Sequence, residues 1–92
     1  MGNEKNNGQR ADGLMMVRYF TRQKASGELG EPLIGEDASL LLSEKIGKVM
    51  ANSGITLEEA RTAANFANGK HLGEVLRAID IIEERQKEAG RK

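Results

Sequence analysis

The chain of 92 residues carries 14 Lys and Arg against 14 Asp and Glu, a formal net charge of zero, with no cysteine, no tryptophan and three aromatic side chains. That length allows one small domain, which buries only about 60–65% of the surface its unfolded chain exposes. The missing cysteines exclude disulfides, thiolate metal sites and cysteine nucleophiles. Of the apolar residues, 38% of the chain, ten are alanine, so the core is thin and a partner is expected to help complete it.

The longest run of larger apolar residues, Leu14 to Val17, is far short of the roughly 20 needed to cross a bilayer, so no membrane partner is expected. Residues 1–13, MGNEKNNGQRADG, lack the apolar stretch of a secretory signal, and a cytoplasmic location is the expectation. They also hold no large apolar residue after Met1. Such a segment does not bury enough surface to offset its ordering entropy, which predicts a disordered tail ahead of a single domain over residues 14–92.

The fold class expected for that domain is mainly α: a small helical domain of three helices, preceded by an ambiguous segment over residues 14–34. The segment reads either as a helix or as part of a β-hairpin. Val17, Tyr19, Phe20 and Thr21 favour a strand, whereas Met16, Val17 and Phe20 share a helical face. The stretch from Ser26 to Asp37 is glycine-rich around the only proline and reads as a loop, with Pro32, Leu33 and Ile34 in a short extended contact with the core.

The first of the three helices is placed over about residues 37–52. Asp37 is the expected N-cap, Leu42, Ile46, Val49 and Met50 fall on one stripe, and Asn52, Ser53 and Gly54 supply the stop. Gly47 lies in its interior at a cost near 1 kcal/mol relative to alanine, which close approach of another backbone would explain.

The second helix, about residues 56–68, starts at Thr56 with Glu59 three residues on, the pattern of a capping box. Ile55 is placed to staple the first turn, and Asn68 and Gly69 close the helix. Leu57, Ala60, Ala64 and Ala67 form its inner face, with Ala63 alongside and Phe66 expected as the bulky anchor. The third helix, about residues 71–89, carries the cleanest stripe: Leu72, Val75, Leu76, Ile79 and Ile82. Beyond Ile82 the sequence EERQKEAGRK is solvated in composition, with no large apolar residue, so the helix is expected to project past the core.

Three features bear on function. The second and third helices have helix–turn–helix spacing, but a recognition helix here would turn Glu74 and Asp80 toward phosphates, which disfavours DNA. Leu14 to Gly27 holds Arg18, Arg22 and Lys24 with no acid, a local charge of +3 interleaved with Tyr19 and Phe20. That cluster suits an acidic protein or single-stranded nucleic acid. The apolar stripe of the last helix suits docking against a second copy or another protein.

A catalytic constellation is missing. His71 is the only histidine, and the acid pairs Glu36/Asp37, Glu58/Glu59 and Glu83/Glu84 point about 100° apart on a helix, so neither member reaches the other's target. No phosphate-binding glycine motif or metal-ligand spacing is present. The expectation is a non-enzymatic protein–protein interaction or regulatory module that needs no cofactor. It docks by self-association or to a protein partner, using Leu72, Val75, Ile79 and Ile82 with Arg18, Arg22 and Lys24 for charge. The weaker alternative is a small DNA-binding regulator built on the helix–turn–helix-like pair and the basic N-terminal segment.

Overall fold

The computed structural model describes residues 2–23, 25–26 and 30–90, with side chains from Gly8 onward. Among these residues the chain is mainly helical, in four helices rather than three: α1 (Gly2–Arg22), α2 (Gly35–Ser53), α3 (Leu57–Ala67) and α4 (Leu72–Ala89). The additional helix is α1, which resolves the ambiguous segment in favour of helix as far as Arg22. A hairpin is therefore ruled out there. What remains of one is a single antiparallel bridge between Ser26 and Pro32, with the Leu33 amide donating to the Ala25 carbonyl at 2.9 Å. Leu33 rests on the core, whereas Ile34 is exposed.

Arg10 and Gly13, ahead of the apolar part of α1, both make contacts with the rest of the chain. Arg10 donates to the Gly54 carbonyl at 2.7 Å and pairs with Glu59. Gly13 packs so closely on the last turn of α2 that a Cβ there would sit 2.6 Å from Ser53 Cβ. At Arg10 and Gly13 this polar part of α1 is held by hydrogen bonds and by backbone approach rather than by apolar area.

Local signals explain the other ends. Thr56 and Glu59 form the reciprocal capping box, Thr56 Oγ1 accepting from the Glu59 amide at 3.1 Å and Glu59 Oε1 from the Thr56 amide at 2.9 Å. Ile55 before it is buried. Gly54 and Asn68 close α2 and α3 in the left-handed conformation, at φ 80° and 51°. The start of α2 differs from expectation: its N-cap is Ile34, which has no side-chain oxygen, and Glu36 and Asp37 lie in the first turn. There they meet the positive end of the helix dipole.

Pairwise contacts give the arrangement. Glu36 meets Arg77 and Ser39 Oγ donates to the Glu74 carbonyl at 3.2 Å, while Ser43 to Ala51 face Ile82 to Ala89, so α2 and α4 run side by side in the same sense. Arg61 of α3 reaches Asp80 and Glu83 of α4, the crossing of an antiparallel helical hairpin. The core between the helices is alanine-rich: Ala38, Ala60, Ala63, Ala64 and Ala78 are buried with Val17, Leu42, Ile46, Val75 and Ile79. Small side chains bring the helices close, and this lets a short chain of few large residues close a core. The buried hydroxyls of Thr21, Ser39, Ser43 and Ser53 each donate to a carbonyl, so none is left unsatisfied.

Gly47 does not meet another backbone. A Cβ there would find nothing within 4 Å, because the position opens into a surface groove between α2 and α4. Gly47→Ala is therefore expected to stabilise the protein by about 0.5–1 kcal/mol, as an unstrained helical glycine replaced by alanine does. A denaturant melt would show a higher midpoint with an unchanged slope.

Candidate interaction surface

The residues expected to dock a partner separate into two groups. Val75 and Ile79 are wholly buried, Ile82 nearly so, and Leu72 lies partly buried against the same cluster. The structure thus brings the α4 stripe together inside the chain's own core. With four helices present, α1, α2 and α3 all cover it, so the stripe is no free docking face. Arg18 and Arg22 lie elsewhere, on α1, and Lys24 lies outside the described residues.

Arg18 leads to the feature that sequence reading misplaced. Its guanidinium stacks 4.9 Å from the centroid of the Phe66 ring, and Phe66 is 75% exposed, a surface residue rather than the anchor of α3. Helical geometry gives the reason. If Ala60 points inward, Ala63, Ala64 and Ala67 lie within 60° of it, whereas Phe66 is rotated about 120° away at 100° per residue.

Along α1 the same arithmetic places Met15 one turn before Arg18 and Arg22 one turn after it, and Tyr19 between them on the crest. Met15 and Tyr19 are 62% and 52% exposed. Leu14, Arg18, Thr62, Ala63 and Phe66 line a groove of about 360 Å³ between α1 and α3. Among the described residues neither Arg18 nor Arg22 is held in an ion pair.

Other bases are neutralised locally. Arg61 bridges Asp80 at 3.0 Å and Glu83, and Arg77 reaches Glu36 at 3.2 Å and Glu84 at 3.8 Å. Hydrogen bonds to these carboxylates raise both guanidinium pKa values, so the charge is held. The α3–α4 pair accordingly turns base–acid pairs outward, not a basic face. The adjacent acids do structural work in these pairs. His71 is the N-cap of α4 without a side-chain cap; its Nδ1 lies 3.4 Å from Glu74 Oε1, and its amide donates to the Thr21 carbonyl at 2.8 Å.

Glu59 and Glu83 titrate below the usual carboxylate range, Glu59 chiefly through the Thr56 amide and Glu83 through the Arg61 hydrogen bond. A depressed folded pKa contributes stability above the unfolded value and loses it as pH falls through the folded one. The melting temperature is expected to drop as pH is lowered through and below the ordinary carboxylate range. In the double variant Glu59→Gln/Glu83→Gln that part of the drop is smaller, at the cost of a lower melting temperature at neutral pH.

No helix among the described residues is long and apolar enough to cross a membrane. Comparison with protein-family models, with curated proteins and with solved structures finds no match to this chain.

Proposed function

We propose that the chain is a non-enzymatic protein-interaction module that docks its partner through the α1–α3 face rather than through the α4 stripe. One observation carries this reading. In a chain with only three aromatic side chains and an alanine-filled core, two of them stand in water: Phe66 in the α1–α3 groove beneath Arg18, and Tyr19 on the crest of α1, on the side toward Leu41 and Lys45 of α2. An exposed ring that lines a groove with other apolar groups, as Phe66 does with Leu14, marks an interaction site, whereas large apolar side chains scattered singly carry no meaning. Arg18 and Arg22 on the same face select an acidic complement. A chain without cysteine suits the reducing cytoplasm, where this reading places it.

The test is the double variant Tyr19→Ser/Phe66→Ser. Both side chains leave little of the core when removed, so stability is expected to stay within about 1 kcal/mol of the parent. Binding to protein, followed by sedimentation and by affinity capture, is expected to be lost. Unchanged binding would overturn the reading. So would binding of duplex or single-stranded DNA at low salt that weakens steeply with added salt and disappears in Arg18→Ala/Arg22→Ala.

A further inference from the structure

The order of charge along the α1–α3 face identifies one partner. The two helices run in the same sense, since Arg10 meets Glu59, Leu14 shares a groove with Thr62 and Ala63, and Arg18 covers Phe66. At one end lie Glu58 and the Arg10–Glu59 pair, where acid exceeds base by one. Leu14, Met15 and Thr62 form an uncharged middle, and Arg18 and Arg22 with Phe66 make the basic end. Glu58, like Thr62 and Phe66, is exposed.

We propose that this face binds a second copy of the chain, as a two-fold symmetric dimer; the inference rests on the protein-interaction reading and names its partner. A two-fold interface matches a surface to itself in reverse. An axis running across both helices at the level of Thr62 turns α3 antiparallel to α3 and α1 to α1. Thr62 is four residues from both Glu58 and Phe66, about 6 Å along the helix in each direction. The axis therefore sets Phe66 of each copy, with the Arg18 guanidinium stacked on it, against Glu58 of the other, twice over, and brings Arg18 beside that copy's Arg10–Glu59 pair. Met15 and Thr62 meet their own counterparts at the centre.

The zero net charge removes the overall repulsion that opposes self-association. An interface of ordinary size takes about 800 Å² from each partner, close to an eighth of this chain's 6185 Å². That is a demand two adjacent short helices can meet.

Sedimentation equilibrium of the full chain over a range of concentrations tests this. A reversible monomer–dimer equilibrium is expected. Arg18→Glu and Glu58→Lys are each expected to weaken it at least tenfold, and their equimolar mixture to recover a heterodimer. Arg18→Glu/Arg22→Glu is expected to be wholly monomeric, and if that variant fails to fold the single Glu58→Lys carries the same test. Because the chain has no cysteine, Thr62→Cys introduces a unique thiol, expected to link two copies through a disulfide, which requires Cα atoms within about 7 Å. Gln86→Cys, in the α2–α4 groove, is not expected to link.

A parent chain that stays monomeric at every concentration overturns the dimer, as does a dimer indifferent to the charge reversals or linked through Gln86→Cys. The interaction reading is judged separately, by Tyr19→Ser/Phe66→Ser. Loss of heterologous protein binding in that variant, with a monomeric parent, sinks the second copy and keeps the reading. A dimer and a binding profile both unaffected by that variant sink the two together.

Discussion

Gly69→Ala is expected to cost about 2–6 kcal/mol, although it adds one methyl group. A Cβ at Gly69 would stand 2.6 Å from the Thr21 carbonyl carbon and 2.7 Å from Thr21 Oγ1, and Thr21 is fully buried. No flexible side chain is available to yield, so the backbone of the α3–α4 turn has to back away from α1. Overpacking of this kind costs about 1–3 kcal/mol. The movement also breaks the bond from the His71 amide to the Thr21 carbonyl, and a buried amide and carbonyl left unpaired cost about 1–3 kcal/mol more.

For a domain of this size each kcal/mol lowers Tm by about 4–8 °C. A thermal melt is therefore expected to fall by at least about 8 °C, and hydrogen exchange at the His71 amide to accelerate ahead of the rest of the chain. Gly73→Ala is the control, since a Cβ there meets nothing within 4 Å. Equal melting of the two variants would show that the close approach of Thr21 does not restrain the turn.

Gly69 also shows where sequence reading runs out. It was legible as a helix stop, because Asn68–Gly69 follows the last alanine of α3, but its contact with Thr21 joins positions 48 residues apart and has no local signal. The capping box at Thr56 and Glu59, the stop at Gly54 and the stripe of α4 were legible because each depends on residues within a turn or two. α1 is half legible: Val17 and Phe20 give its inner face, but the contacts of its polar part run from Arg10 to Gly54 and Glu59, across 44 and 49 residues.

The candidate surface divides in the same way. Arg18 and Arg22 stand out by local charge. Phe66 does not, although its angle from the alanine face follows from the spacing alone; a bulky ring in an alanine helix reads as core because large apolar groups usually go there. The stripe on α4 is legible as apolar, and its residues lie in the chain's own core, where a core of three helices would leave such a stripe partly open. The fourth helix closes it.

That distinction carries the second large effect. Ile79→Ala is expected to cost about 2–5 kcal/mol, the range for a large aliphatic side chain removed from a site with no exposure. Whole-domain stability at this length is only about 5–14 kcal/mol, so the variant loses a substantial share of it. The loss is expected to be the same at low and high protein concentration, because Ile79 packs within its own chain and not across an interface. Phe66→Ala should behave in the opposite way. Its ring is mostly in water, so unfolding of the dilute monomer is expected to shift by less than about 1 kcal/mol, while the rise of Tm with concentration that a dimer produces is expected to vanish. Denaturant melts of both variants at two concentrations separate core from surface directly. A concentration-dependent loss at Ile79, with none at Phe66, would return the docking role to the α4 stripe and require the monomer core to open when the partner binds.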